Sequence, residues 1–572
     1  MTRKLLLAAI VIVAPLLTKA QYTLISNTNL ADVSKGKIIT GASVLIKEGN
    51  IEEVFTNKKY KLPPGTTVFD GTGKYIMPGM TDAHIHFCQS GGLYTRPDGF
   101  NFTKIVPYEV ERKETFNNTG DFLTRYLRMG ITTVADVGGP FTNFAIRDSI
   151  SRLQLSPGVL VTGPLFSMVE DKPLDNGAAP IVKTTTIEEA DALFDKMLPL
   201  KPDYIKIWYI VTPDLPAEKT FPVVQHIAKR THDAKLKLAV HATELKTAEL
   251  AVDAGADILV HSVEDEIVTD QFVKKLVNRK VSYIPTLIVM DGYYRTLAGK
   301  QKNDPMDLRY ANPFVFGSLT DPEHIPTDDL PERFRKVRSM TTPLADPNAH
   351  DDSVRAVNLR KVFAAGVNVV AGTDAGNVGT MHATSLHREL EAMKQAGLTE
   401  VDILKTVTLN SSACFNQNNG LIAKGKKADL LILSKNPFDN IVNLNSIEHL
   451  VKSGNLVKAD TLIHETPEML IQRQLNAYNA RDIEAFLDTY SDSIELFDFP
   501  NTPIGSGKEL MRSRYGKRFS TLRYLHCEIV DRIKYNNVVI DHELVKADDK
   551  VTEAVVIYEV KDGKIAKMTF KR

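Results

Sequence analysis

The sequence predicts an α/β protein: a (β/α)8 barrel, a composite β-sandwich assembled from the segments on either side of it, and a separate C-terminal α+β domain. Three observations carry this reading. Short apolar runs, each about one strand long, recur at 131–137, 159–162, 204–209, 238–242, 258–261, 281–284 and 367–372; with the segment ending at Phe87 they number eight. Helix-like stretches at 187–200, 221–232, 247–254 and 270–278 separate most of them. Strands alternating with helices make parallel βα units, and eight units over roughly 250 residues or more close into a barrel. Alternating apolar and polar residues with turn signals fill 22–69 and return after residue 420, the texture of short antiparallel strands. From about residue 465, helical periodicity at 467–478, 483–490 and 508–519 gives way to strand-like runs at 527–533, 538–545, 552–560 and 565–570. Helices first and strands afterwards make a domain apart from the barrel.

The expected organisation follows: an export signal at 1–20, the sandwich at 21–80 and 415–463, the barrel at 81–414 and the C-terminal domain at 465–572. Arg3 and Lys4, an apolar run at 5–17 and Thr18-Lys19-Ala20 form the signal. Thirteen apolar residues fall short of the roughly 20 that span a bilayer, so cleavage and a periplasmic or secreted product are expected. Residues 291–353, rich in Pro, Asp and Arg, are too long for an ordinary connection. They are expected to form a lid over the barrel mouth.

Composition narrows the function. Lys and Arg total 70, as do Asp and Glu, so no global basic field points to nucleic acid. Cys88, Cys414 and Cys527 lie far apart and form neither a disulfide framework nor a CxxC zinc site.

The strongest local signal is His84-Ile85-His86. Residues two apart on a strand face the same way, so both imidazoles can converge on one metal ion. The pair alone is weak evidence. Its company strengthens it: Lys206, His241, His261 and Asp374 each lie at or near the end of a later predicted strand, on the face where barrel enzymes hold their active sites. Tyr209, on the strand of Lys206, and His382 and His387, after Asp374, are weaker candidates for the pocket.

From about residue 31 to 457 the chain resembles the amidohydrolase superfamily, in its imidazolonepropionase-like and Xaa-Pro dipeptidase-like branch. The matching motifs are Pro78-Gly79-Met80-Thr81-Asp82-Ala83-His84-Ile85-His86, the strand-four lysine, the two later histidines, Gly372-Thr373-Asp374, and Gly420 through Leu430. Leu409-Asn410-Ser411-Ser412-Ala413-Cys414 follows the family's threonine-rich helix only loosely. The resemblance implies a TIM-type barrel and two divalent ions, zinc before manganese or iron. His84, His86 and Asp374 would hold one, His241 and His261 the other, with Lys206, as its N6-carboxylated form, bridging them. Metal-bound hydroxide would then attack the carbonyl of an amide, peptide or cyclic amide, with Asp374 as acid and base. With an ordinary Lys206, the site is instead mononuclear and deaminase-like. An ester or lactone hydrolase, and a non-catalytic ligand-binding or assembly protein, are the remaining alternatives.

The C-terminal region is similar to SnoaL-like or nuclear transport factor 2-like cone-shaped domains. Ala477-Tyr478-Asn479-Ala480-Arg481-Asp482, Ile494 to Asp498 and Val556 to Ile565 carry this likeness. Tyr490, Asp498, His526, Asp541 and His542 are its candidate pocket residues; the alternative is an accessory or dimerising domain. The expected partners are a small-molecule or dipeptide substrate and a second copy of the chain, with no nucleic acid and no stable membrane insertion.

Overall fold

The computed structural model describes residues 21–56, 60–175, 178–299, 304–340 and 354–571. The expected export signal at 1–20 lies outside them. Among the described residues no helix is long and apolar enough to cross a membrane.

The chain opens with β1 (Tyr22–Asp32), β2 (Lys37–Lys47), β3 (Asn50–Thr56), β4 (Thr67–Asp70) and β5 (Tyr75–Pro78). The middle holds β6 (Met80–Ile85), β7 (Ile131–Asp136), β8 (Gly158–Val161), β9 (Leu165–Ser167), β10 (Ile181–Lys183), β11 (Ile205–Trp208), β12 (Leu238–His241), β13 (Ile258–Val260), β14 (Ser282–Ile284) and β15 (Asn368–Val369). β16 (Leu430–Leu433), β17 (Ile447–Lys452) and β18 (Asn455–Lys458) follow.

Both flanks meet in one eight-stranded sheet, ordered β18-β17-β16-β5-β1-β2-β3, with β4 also paired to β1. β16 runs antiparallel to β5, Leu430 opposite Pro78 and Leu433 opposite Tyr75. The expected assembly from two ends is present, but as a single sheet rather than two facing layers. β1 explains the difference. It pairs with β4 through residues 23–26 and with β5 through 29–30, and its register against β2 shifts between those stretches. Such irregularities bend a strand, so Ile25, Val44, Ile76, Leu430 and Ile432 pack in one cluster under a curled sheet.

All eight expected middle strands are present, and β9 and β10 are additional. Every pairing among them is parallel. Regular pairing forms two sheets, β6-β7-β8 and β10-β9-β11-β12-β13-β14-β15. Between β8 and β11, Asp203 N–H donates to Val161 O at 2.9 Å. Beyond β15, Ala83 N–H donates to Ala371 O (3.1 Å), Asp374 N–H to His84 O (2.7 Å) and His86 N–H to Ala375 O (2.8 Å). The helix at Ala217–Asp233 starts earlier than its pattern suggests and carries Pro222 inside it. Proline is at home in a first helical turn, which is why the sequence places the start too late.

The segment expected to be a lid is mostly helical. Val289–Leu297, Pro305–Tyr310, Pro313–Ser318 and Glu332–Met340 are helices. Buried Leu308, Phe316 and Phe334 on these helices, with Leu330 between them, join one core with Leu93, Phe100 and Phe102 after β6 and with C-terminal Leu470, Ile471 and Leu475. A lid must open, and burying this much apolar surface opposes opening. The segment's described residues bridge the two halves and none of them lines the central pocket, which only Val289 and Met290, just before the segment, reach.

The C-terminal domain packs helices Pro467–Ala480, Ile483–Asp488 and Lys508–Thr521 on a sheet of β19 (Tyr490–Asp498), β20 (Thr502–Ser506), β21 (Leu525–Tyr535), β22 (Val538–Ala547), β23 (Lys550–Lys561) and β24 (Lys564–Lys571). Its strand order is β20-β19-β24-β23-β22-β21. The sequence pattern anticipates the last four strands and all three helices. It misses β19 and β20.

Candidate active site

Side chains at or near the ends of β6, β11 and β12, namely His84, Trp208 and His241, meet in one cavity of about 220 Å³. His84, His86, Lys206, His241, His261 and Asp374 all line it, so six positions spread over nearly 300 residues meet in one place.

Support from behind fixes the arrangement. Asp82, fully buried, accepts from Thr373 Oγ1 (2.7 Å) and from the N–H groups of Thr373 (3.1 Å) and His84 (3.3 Å). That ties β6 to the segment carrying Asp374. Gly372 permits the close approach: a Cβ there would lie 2.8 Å from His84 Cβ and 2.9 Å from its backbone N. Asp374 and His261 sit at φ 59° and 75°, and Thr286 at 46°. Non-glycine residues pay for this region, and such strain concentrates at functional sites.

The first three ligand candidates cluster tightly. His84 Nε2 lies 3.2 Å and His86 Nε2 3.0 Å from Asp374 Oδ1, and the two Nε2 atoms are 3.3 Å apart. Yet Asp374 Oδ1 and His84 Nδ1 are buried without a hydrogen bond of good geometry. A tetrahedral ion with bonds of roughly 2.0–2.1 Å needs ligand atoms roughly 3.3 Å apart. The donor set fits a divalent cation, which would satisfy the buried Asp374 Oδ1. His86 Nδ1 faces Gly138 O at 2.8 Å; donating there leaves Nε2 with its lone pair toward the cavity.

The second pair differs. The His241 and His261 rings are 4.4 Å apart, and His261 Nδ1 meets Thr286 Oγ1 at 2.7 Å. Among the described residues only His84, His86 and Asp374 form a three-residue group of His, Cys, Asp or Glu with metal-binding spacing. The second pair lacks a carboxylate of its own.

Electrostatics favour the neutral, ligating forms. Burial drives His84 down to about 4 and holds His241 and His261 well below the usual imidazole range. Burial raises the Asp374 carboxyl, but His84 and His86 outweigh it and hold the group well below its usual value. Lys206 is 2% exposed and makes no side-chain hydrogen bond or ion pair among the described residues. Burial lowers its amine to about 7, so much of it is unprotonated near neutrality.

The weaker candidates lie elsewhere. Tyr209 donates to Ala217 O (2.7 Å). His382 is held between Tyr126 Oη (2.9 Å) and Gln89 O (2.8 Å), and His387 Nε2 contacts Met129 O (3.3 Å). None of the three lines the cavity; all serve the packing behind it. The sequence reading misses Trp208, Arg96, Glu264 and Asn377, which do line it. Strand alternation was the available signal for Trp208, two residues from Lys206, and the same rule turns Tyr209 away. Arg96, held by Asp98 and donating to Asn377 Oδ1 (2.9 Å), is on a loop with no periodic signal.

Comparison with known proteins adds the family context. A family model described as "Amidohydrolase family" matches residues 75–457, and one for the SnoaL-like domain matches 471–568. A 5-methylthioadenosine/S-adenosylhomocysteine deaminase of Pyrococcus furiosus is 22% identical over 81% of this chain and 100% of its own. An imidazolonepropionase of a Geobacillus species is 20% identical over 77% of this chain and 96% of its own. A solved Xaa-Pro dipeptidase structure with methionine in its active site aligns with a TM-score of 0.58 at 21% identity, covering 77% of this chain and 100% of that one. At that identity the likeness speaks for the fold alone.

Proposed function

We propose, from the premise that the chain belongs to the amidohydrolase family, that it hydrolyses small amides of the dipeptide class in a binuclear metal centre. It is a hydrolase acting on carbon–nitrogen bonds, as family members do. The same premise supports reading the two parallel sheets as one closed (β/α)8 barrel.

One observation carries the metal reading: three ligand atoms, His84 Nε2, His86 Nε2 and Asp374 Oδ1, lie 3.0–3.3 Å apart, and the carboxylate oxygen among them is buried without a hydrogen bond of good geometry. His241 and His261 hold a second ion, and Lys206 supplies the missing anionic ligand. Its neutral amine adds to carbon dioxide, forming an N–C bond and releasing a proton. Bound there, divalent ions acidify water towards neutral pH and polarise a carbonyl. Asp374 takes the proton of the attacking water and returns it to the leaving amine. Trp208 and Met290 offer apolar walls, and Arg96, paired with Asp98, adds a polar edge. A cavity of about 220 Å³ suits a small molecule. The second pair's lack of a carboxylate is what a mononuclear deaminase would also show.

The test is a chelated enzyme restored with zinc or manganese and assayed on Xaa-Pro dipeptides, N-acyl amino acids, aryl esters and adenosine. Metal-dependent amide hydrolysis is expected. Deamination of adenosine alone, or full activity without metal, contradicts the reading. We also propose that residues 1–20 direct export; a mature chain that retains them would contradict this.

A further inference from the structure

A second cavity belongs to the C-terminal domain. It measures about 400 Å³, within the roughly 300–1,000 Å³ of small-ligand sites, and shares no lining residue with the barrel cavity. Helices Pro467–Ala480 and Lys508–Thr521 form one side, and β22, β23 and β24 the other. The expected pocket residues do not line it. Tyr490 packs on Phe486, His526 stacks on His324, His542 pairs with Glu553, Asp541 is clamped by Arg532 through two bonds of 2.7 Å, and Asp498 is exposed.

The residues that do line it divide by chemistry. Met568 and Phe570 give an apolar floor. Glu543 accepts the Tyr558 hydroxyl at 2.7 Å; burial raises this carboxyl to about 7, so it can both donate and accept near neutrality. Arg514 and Arg518 stand one helical turn apart, on the same face. Three other arginines of this domain are neutralised, Arg473 by Glu465 and Asp488, Arg512 by Glu484 and Arg532 by Asp541, and Arg481 is spent on the backbone carbonyls of Leu522 and Arg523. Arg518 donates only to Tyr478 Oη (2.8 Å), and Arg514 lies over the Phe570 ring. Neither has a carboxylate partner among the described residues.

Two cations without acids, an apolar floor and an acid–hydroxyl pair in one cavity specify a ligand. We propose that this domain carries a second binding site, independent of the barrel, for a small aromatic carboxylate bearing a hydroxyl at its far end. The carboxylate pairs with Arg514 and Arg518, and the hydroxyl meets Glu543 and Tyr558.

Calorimetric titration of the full-length, metal-loaded protein tests this with 6-hydroxy-2-naphthoate, 2-naphthoate and 2-naphthol as probes. One site per chain is expected for 6-hydroxy-2-naphthoate, with 2-naphthol at least about tenfold weaker, the worth of one charge-assisted hydrogen bond. Arg518→Gln should cost 6-hydroxy-2-naphthoate about tenfold and leave 2-naphthol unchanged. Glu543→Gln should weaken 6-hydroxy-2-naphthoate more than 2-naphthoate. Chelation of the metals should alter none of this. Should Arg518→Gln melt well below wild type, Arg514→Gln, whose side chain makes no hydrogen bond among the described residues, carries the same expectation. No saturable binding, equal affinity for 2-naphthol, indifference to the arginine variants, or loss of binding with the metals overturns the proposal.

Discussion

The two cavities of this chain solve opposite electrostatic problems. In the cavity among the parallel strands, neutral imidazoles, a buried carboxylate oxygen without a good hydrogen bond and an amine without a partner among the described residues are gathered, a surplus of donors suited to cations. In the C-terminal domain the surplus is positive, two arginines beside one half-neutral acid. Assembly differs too. The barrel site draws on residues 84 to 374, held by strand ends and by Asp82 behind them; the other cavity is complete within residues 474 to 570. A site spread so widely depends on the whole fold, whereas a compact one depends on its own domain. Substitutions can separate these dependences.

The largest effect belongs to Asp374→Asn. It removes the only acid among the six converging residues, and kcat should fall by about a thousandfold or more, with the melting temperature close to wild type. Near-normal turnover would remove the barrel cavity from the account. Phe334→Ala strikes the bridge between the two regions, where Phe334 is fully buried against Phe100 and Phe102. A loss of about 3–5 kcal/mol should appear in thermal unfolding, with both cavities affected. Loss confined to one would show that the bridge does not couple them.

Gly372→Ala is smaller and local. Its Cβ would press on His84 backbone and side chain, costing about 1–3 kcal/mol and lowering activity while naphthoate binding persists. The effect of Glu543→Gln on stability depends on pH. The folded carboxyl titrates near 7 against an ordinary 4.5. Below the ordinary value both folded and unfolded forms are protonated, and the group costs nothing. As pH rises from 4.5 to 7 the unfolded form ionises first, so the folded state loses stability, and the loss is complete above 7. The variant should therefore match wild type at acid pH and melt higher at pH 8. An equal difference at both pH values contradicts the buried-acid reading.

Much of the barrel site was legible because its residues end predictable strands. Apolar runs located the strands, and alternation put His84 and His86 on one face. The same rule, applied one residue further at Trp208, would have replaced Tyr209. His382 and His387 misled because histidine is an ambiguous letter: stacked on Phe122 and bonded at both nitrogens, His382 is a packing residue. Arg96 and Glu264 were invisible because loops carry no period. The bridge was misread because Pro, Asp and Arg mark caps as well as loops. Asp304 and Asn312 cap helices that each begin with a proline, a use of these residues that reads as coil in composition. In the C-terminal domain four of the six strands were visible, but pocket residues were chosen by type, and Asp541 proved neutralised within its own strand pair.

The central claim is that six residues hold two ions and that Lys206 completes the second site. Elemental analysis of wild type and Lys206→Ala, each purified with zinc and bicarbonate, tests it most directly. The account predicts about two ions per chain in wild type and about one in the variant, the ion held by His84, His86 and Asp374 surviving. Equal metal content in the two proteins, or none in wild type, would contradict it.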